Sequence, residues 1–108
     1  MTFAAGVQKT IAAPPERVFD AFVDPSERGR WLSDDRLSER TATRPKSARY
    51  DWGDDGKRVH VTFVDKEDGR STIAVEHRRL PGSEEADRMK AHWRTALNEL
   101  AARVEGGQ

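Results

Sequence analysis

The spacing of apolar residues changes twice along this chain, and each change marks a new kind of element. Residues 7–11 (Val7-Gln8-Lys9-Thr10-Ile11) alternate apolar and polar, the period of a half-buried strand. Pro14-Pro15 stops that pattern. Residues 16–23 then place Val18, Phe19 and Phe22 on one helical face, and Pro15 suits a first helical turn because its missing N–H has no partner to lose there. Asp24-Pro25-Ser26-Glu27 predicts a second, short helix ending near Trp31-Leu32, with Asp24 as the cap, Pro25 at the first helical position and Glu27 at the capping-box position.

From residue 37 to residue 80 the period is two, and four strands fit: 37–43, 47–52, 58–64 and 70–78. In the second, Ala48, Tyr50 and Trp52 share a face; in the third, Val59, Val61 and Phe63; in the fourth, Ile73, Val75 and His77. The strand over 37–43 is the weakest, with Leu37 its only large apolar residue. The polar turns at 53–56 and 65–69 are short, so the strands form an antiparallel meander rather than βαβ units. After Pro81-Gly82, Ser83 is the expected N-cap of a long helix whose first turn carries Glu84, Glu85 and Asp87. Ala86, Met89, Trp93, Leu97, Leu100 and Val104 form one apolar stripe along it, and Gly106-Gly107 ends it. A short sheet has one apolar face that must be covered. The predicted fold is therefore α+β: a curved antiparallel sheet wrapped on a long C-terminal helix, with a short helix pair after the first strand. Residues 1–108 are expected to form one domain.

Composition adjusts this picture in three places. Leu, Ile, Val and Phe supply 19 of 108 residues, near the disorder range, but net charge is zero, so a lean folded core is expected. Balanced charge, with 19 Lys+Arg against 19 Asp+Glu, argues against a dedicated nucleic-acid binder. The absence of cysteine excludes disulfides, thiolate metal sites and cysteine nucleophiles. No apolar run reaches the length of a membrane span, and the first residues lack the pattern of a signal peptide, so the expectation is a soluble cytoplasmic protein.

Two stretches resemble a known family. One is Ile11-Ala12-Ala13-Pro14-Pro15-Glu16-Arg17-Val18-Phe19-Asp20-Ala21-Phe22, followed by Asp24-Pro25 and Arg30-Trp31-Leu32. The other is Val75-Glu76-His77, a short break, and then His92-Trp93-Arg94-Thr95-Ala96-Leu97-Asn98-Glu99-Leu100, with its Trp-x-x-x-Leu-x-x-Leu pattern. In this order they resemble the SRPBCC superfamily (START/Bet v 1-like, helix-grip), and within it the branch related to the activator of the heat-shock-protein-90 ATPase. The resemblance implies a cavity between sheet and helix. In that family the region between the helix pair and the last helix commonly has six strands; this chain has room for four, and it lacks the Gly-Gly-rich hairpin usual after the Trp-Leu.

The candidate chemistry is sparse. His77 shares the strand face that meets the long helix, so it either anchors a ligand or is a core histidine satisfied by a backbone carbonyl or a helix residue. His60 has the opposite parity and His92 lies at the edge of the helix stripe; the three histidines show no metal-ligand spacing. Trp31, Tyr50, Trp52 and Trp93 either line a pocket or build the core. Asp34-Asp35 and Asp54-Asp55 read as soluble turns rather than cation sites. Arginine outnumbers lysine 14 to 5; Arg36, Arg40, Arg44 and Lys46, with Arg17, Arg28 and Arg30, read as a salt-bridged, solvated surface or an anion patch. No nucleophile, P-loop or dinucleotide fingerprint is present.

What the resemblance implies is a module that binds a small apolar or lipid-like molecule between sheet and helix, without a cofactor. Its lining would come from Trp31, Tyr50, Trp52, Val61, Phe63, Val75, His77, Met89 and Trp93. The alternative is a protein-interaction domain, co-chaperone-like or homodimeric, using the weak strand over 37–43 as an open edge. A polyketide-cyclase-like enzyme shares the fold but finds no acid–base pair here.

Overall fold

The computed structural model describes residues 2–32, 35–54 and 56–106. Ser33, Asp34, Asp55 and Gly107, on which parts of the turn and helix-end readings fall, lie outside the described residues. The element order is β1 (Phe3–Ile11), α1 (Pro15–Val23), α2 (Pro25–Arg28), β2 (Leu37–Thr43), β3 (Ser47–Trp52), β4 (Lys57–Glu67), β5 (Arg70–Leu80) and α3 (Ser83–Glu105). The five strands form one antiparallel sheet in the order β1-β5-β4-β3-β2. β2 is an edge strand, as its thin apolar pattern predicts, and β1 is the other edge.

Alternation drives the sheet. Ala48 and Tyr50 of β3, Val59 and Val61 of β4, and Ile73, Val75 and His77 of β5 are buried on the face turned to α3 and α1. A helix of 23 residues spans about 35 Å at 1.5 Å per residue, close to the 41 Å long axis of the molecule. α3 lies along β1 and β5 and buries Ala86, Trp93, Leu97, Leu100 and Val104 of the predicted stripe, together with Ala96 and Ala101; Met89 is half-buried. α1 closes one end, with the Phe19 and Phe63 rings 5.2 Å apart.

Three strands outrun their predicted limits. β1 starts at Phe3, β4 runs to Glu67 and β5 to Leu80. The extra residues carry too little apolar alternation to mark a strand: Ala5 and Leu80 are buried with Ala86 in a small second cluster, while Phe3, Ala4, Gly6, Arg79 and residues 65–67 are exposed. The β4–β5 turn is thus only Asp68-Gly69, with φ of 56° and 73°, the left-handed pair that a two-residue primed hairpin demands. A bulge at Asp65/Glu67 precedes it, and the Asp65 carboxylate accepts the Glu67 N–H at 2.8 Å.

Local capping differs from expectation in two places. The N-cap of α3 is Gly82, not Ser83; Ser83 is the first helical residue, and the Gly82 carbonyl takes the Ala86 N–H at 3.1 Å. Asp24 caps α2, accepting from Ser26 N at 3.0 Å and Ser26 Oγ at 2.8 Å. Glu27 does not complete a capping box. The Asp24 N–H is already bound by the Asp20 carbonyl at the end of α1, and Glu27 turns instead to Arg103 of α3, 3.3 Å away. α2 ends at Arg28, but hydrogen-bonded turns continue to Leu32.

Candidate functional site

The i, i+4 and i+3 steps of the α3 stripe set Trp93 at the centre of the molecule. Its ring, fully buried, lies 6.2 Å from Phe22, 5.7 Å from Trp52 and 5.4 Å from His92. Its indole N–H donates to His77 Nδ1 at 3.1 Å. An acceptor Nδ1 places the proton of neutral His77 on Nε2. Trp52 stands edge-on to His77 at 5.1 Å and to His92 at 5.7 Å. His77 thus has a helix residue as partner, one of the two roles its strand parity allows.

From this cluster a cleft of about 880 Å³ opens to solvent at one end of the helix–sheet layer. Trp31, Trp52, His92 and Met89 form its aromatic and thioether wall, and Ala91, Thr95 and Ala96 of α3 its other side. Arg30, Arg36, Lys57 and Arg88 stand around it with Asp54, Glu85 and Glu99. Glu85 is shared by two of these cations, lying 3.8 Å from Lys57 and in contact with Arg88 one helical turn on. Among the described residues no cluster of His, Asp and Glu has the makings of a metal site.

The nine residues expected to line a pocket divide into two sets. Trp31, Trp52 and Met89 border the cleft. Tyr50, Val61, Phe63, Val75, His77 and Trp93 lie behind them in the core, none more than 5% exposed. Strand parity assigns a side chain to a face; it does not say whether that face meets a gap or a packed neighbour. The charged wall was not read as part of a site. Its signal was present in the spacing of Glu85, Arg88, His92, Thr95 and Glu99, a second helical line beside the apolar stripe.

The helix pair positions Trp31, whose indole N–H donates to the Ala21 carbonyl at 3.0 Å. Arg28 beneath it corrects the reading of this basic stretch as solvated. The residue is 5% exposed, its guanidinium reaching Asp35 at 2.8 Å and the Phe22 carbonyl at 2.9 Å. Arg40 and Arg44 do lie in exposed ion pairs, with Asp51 and Asp20.

Tyr50 lies next to this group, with the Arg28 guanidinium 5.4 Å from its ring centre. Among the described residues its buried hydroxyl finds no hydrogen-bond partner, and burial pushes its pKa up to about 12, against the pull of Arg28. The folded state thus holds the phenol neutral. Stability from this preference is complete below the unfolded pKa of 10.0 and is lost as pH rises towards about 12. Tyr50→Phe is therefore expected to stay within about 1 kcal/mol of the parent at pH 8 and to lose less stability than the parent between pH 8 and pH 11. Urea midpoints at the two pH values check this, and equal losses in both proteins would overturn it.

No protein-family model matches the chain, and no curated protein matches it. Solved structures do. An AHSA1-like protein of Rhizobium etli superposes with a TM-score of 0.74 at 21% identity, covering 94% of this chain and 81% of the other. The Aha1 dimer of Colwellia psychrerythraea gives 0.81 at 12% identity, covering 98% of each chain. An HSP90 activator of Plasmodium falciparum gives 0.77 at 17% identity, covering 98% and 96%. The fold is thus helix-grip, a curved antiparallel sheet wrapped on a long C-terminal helix. The same fold is shared by the AHSA1-like protein and the HSP90 activator, and its sheet here has five strands. No helix among the described residues is long and apolar enough to cross a membrane.

Proposed function

We propose that this chain is a binding module for a small, planar, largely apolar molecule seated in the cleft between α3, the β3–β4 turn and the segment after α2. The observation that carries the reading is the wall of Trp31, Trp52, His92 and Met89 at the mouth of a cleft of about 880 Å³. That size falls among ligand sites, and flat aromatic walls favour ring-bearing molecules. The ligand enters at the open end; the core residues behind Trp52 hold the wall in place. N-phenyl-1-naphthylamine, a neutral planar fluorophore, is the probe. Its fluorescence is expected to rise on binding with Kd of order tens of micromolar. Thr95→Trp, at an exposed helix position, fills the cleft and should weaken binding at least about tenfold while leaving the circular dichroism spectrum intact. Equal affinity in parent and variant, or no binding to the parent, would sink the reading.

A second reading, self-association or docking on a chaperone, is favoured by one feature. All of β2 after Leu37 is exposed, and its outer edge is unpaired within the sheet. Two of the solved structures with this fold carry the descriptions dimer and HSP90 activator. Light scattering separates the cases: a mass of 12.2 kDa leaves only a foreign partner, and twice that value supports pairing of copies.

A further inference from the structure

Among the described residues, every helix packs on one face of the sheet and no element covers the other. Its side chains follow from the register. Across the middle runs Gly6–Glu76–His60–Arg49, and beside it Arg78–Arg58–Asp51. Arg58 and Arg78 are directly opposite one another, and Arg49 is directly opposite His60. Like charges facing across a ladder, as Arg58 and Arg78 do, are unfavourable, so the fold alone does not call for this placement.

The acids on this face do not balance it. Asp51 lies 2.9 Å from Arg58 and 3.1 Å from Arg40, so one carboxylate serves two guanidiniums. Glu76 is taken by Arg78. No ion pair among the described residues involves Arg49. The imidazole of His60 is held below its ordinary value by burial, then by Arg49 and Arg78, against the pull of Glu76. On a chain of zero net charge, this face is locally positive.

The same face has a groove of about 580 Å³, floored by Gly6 and Ala74 and walled by Gln8, Thr62, His60 and Glu76. A Cβ at Gly6 would meet nothing within 4 Å, so neither backbone nor packing requires glycine there. Its effect is to keep the floor of the groove low.

We propose that this bare sheet face docks an extended acidic segment of a partner protein, which lies in the groove over Gly6 and Ala74 and sets its carboxylates on Arg49, Arg58 and Arg78. Charge complementarity selects the occupant: arginines present planar donor forks that match carboxylates. The site is on the opposite side of the sheet from the cleft and stands or falls independently of it.

The probe is an acetylated, amidated hexapeptide of alternating Glu and Val, titrated into ¹⁵N-labelled protein in ~50 mM salt, where surface charge is weakly screened. Amide shifts are expected to cluster on β1, β4 and β5 around Gly6, His60 and Glu76. The double variant Arg49→Gln, Arg78→Gln should weaken binding about tenfold, and Gly6→Val, which fills the groove without touching a charge, should weaken it as well. Thermal melts of both variants, which alter only this bare face, confirm that the fold is kept. The proposal is overturned if the same hexapeptide with Gln in place of every Glu binds equally well, or if the parent binds no acidic peptide at ~1 mM. It is equally overturned if the shifts track α3, or if a 12-mer of oligothymidylate binds more tightly, which would assign the arginines to phosphate.

Discussion

Replacing Trp93 with alanine is expected to remove about 3–5 kcal/mol of stability, the range for emptying a fully buried tryptophan site. Four rings lose their shared neighbour, because Phe22, Trp52, His92 and His77 all face this indole. The buried His77 Nδ1 also loses the donor at 3.1 Å, a separate cost of about 1–3 kcal/mol that overlaps the cavity term. A domain of this size has roughly 5–15 kcal/mol in all, so the variant should melt about 15–30 °C lower or fail to fold cooperatively. Trp93→Phe narrows the lesion, since it keeps most of the buried area and removes the N–H donor with one ring of the indole; about 2 kcal/mol is expected. Urea denaturation followed by far-ultraviolet circular dichroism measures both. A loss under about 1 kcal/mol for the alanine variant would mean that α3 does not seat on the sheet through this residue.

The value of Trp93 shows how far the sequence could be read. The stripe on α3 and the alternation from Ala48 to His77 are imposed by burial, so both are visible in the order of residues, and β2 and β3 fall on their predicted limits. Where apolar alternation stops, the signal stops: the exposed start of β1 at Phe3 and the far end of β4 are held by ladder hydrogen bonds, which any side chain allows, and at the far end of β5 the buried Leu80 stands alone after exposed Arg78 and Arg79. The cleft was half legible for a related reason. Strand parity points to Trp52, the helix stripe to Met89 and the end of the short helix pair to Trp31, but the gap they border depends on where α3 crosses the β3–β4 turn, a tertiary distance with no local signature. Arg28 was misplaced because an arginine between Glu27 and Gly29 looks solvated; its burial follows from two helix-end carbonyls and an acid seven residues on.

Arg28 is the point at which that tertiary arrangement is most exposed to test. Its guanidinium accepts nothing and donates everything: to Asp35 at 2.8 Å, and to the Phe22 and Val23 carbonyls at 2.9 and 3.3 Å. Those carbonyls end α1, where no further helical N–H exists to satisfy them. Arg28→Ala leaves them without their charged donor and leaves Asp35, its side chain 24% exposed, without its cation. The expected cost is about 2–4 kcal/mol, below the full value for breaking a buried pair because Asp35 keeps access to water. Asp35→Asn should cost less, about 1 kcal/mol, since the Arg28 bonds to the helix end survive and the amide oxygen can still accept the Leu37 N–H, 3.1 Å from Asp35 Oδ1 in the parent. Arg28→Lys keeps the charge but not the fork that spans carboxylate and carbonyls together, and should fall near the alanine variant rather than near the parent. The same lesion reaches the cleft. Trp31 is three residues on and is tied to Ala21 of α1, so loosening the elbow frees one wall, and N-phenyl-1-naphthylamine should bind Arg28→Ala several-fold more weakly at temperatures where the variant is still folded. A variant as stable as the parent would show that the α1–α2 elbow is held by the Trp31 and Phe22 rings alone.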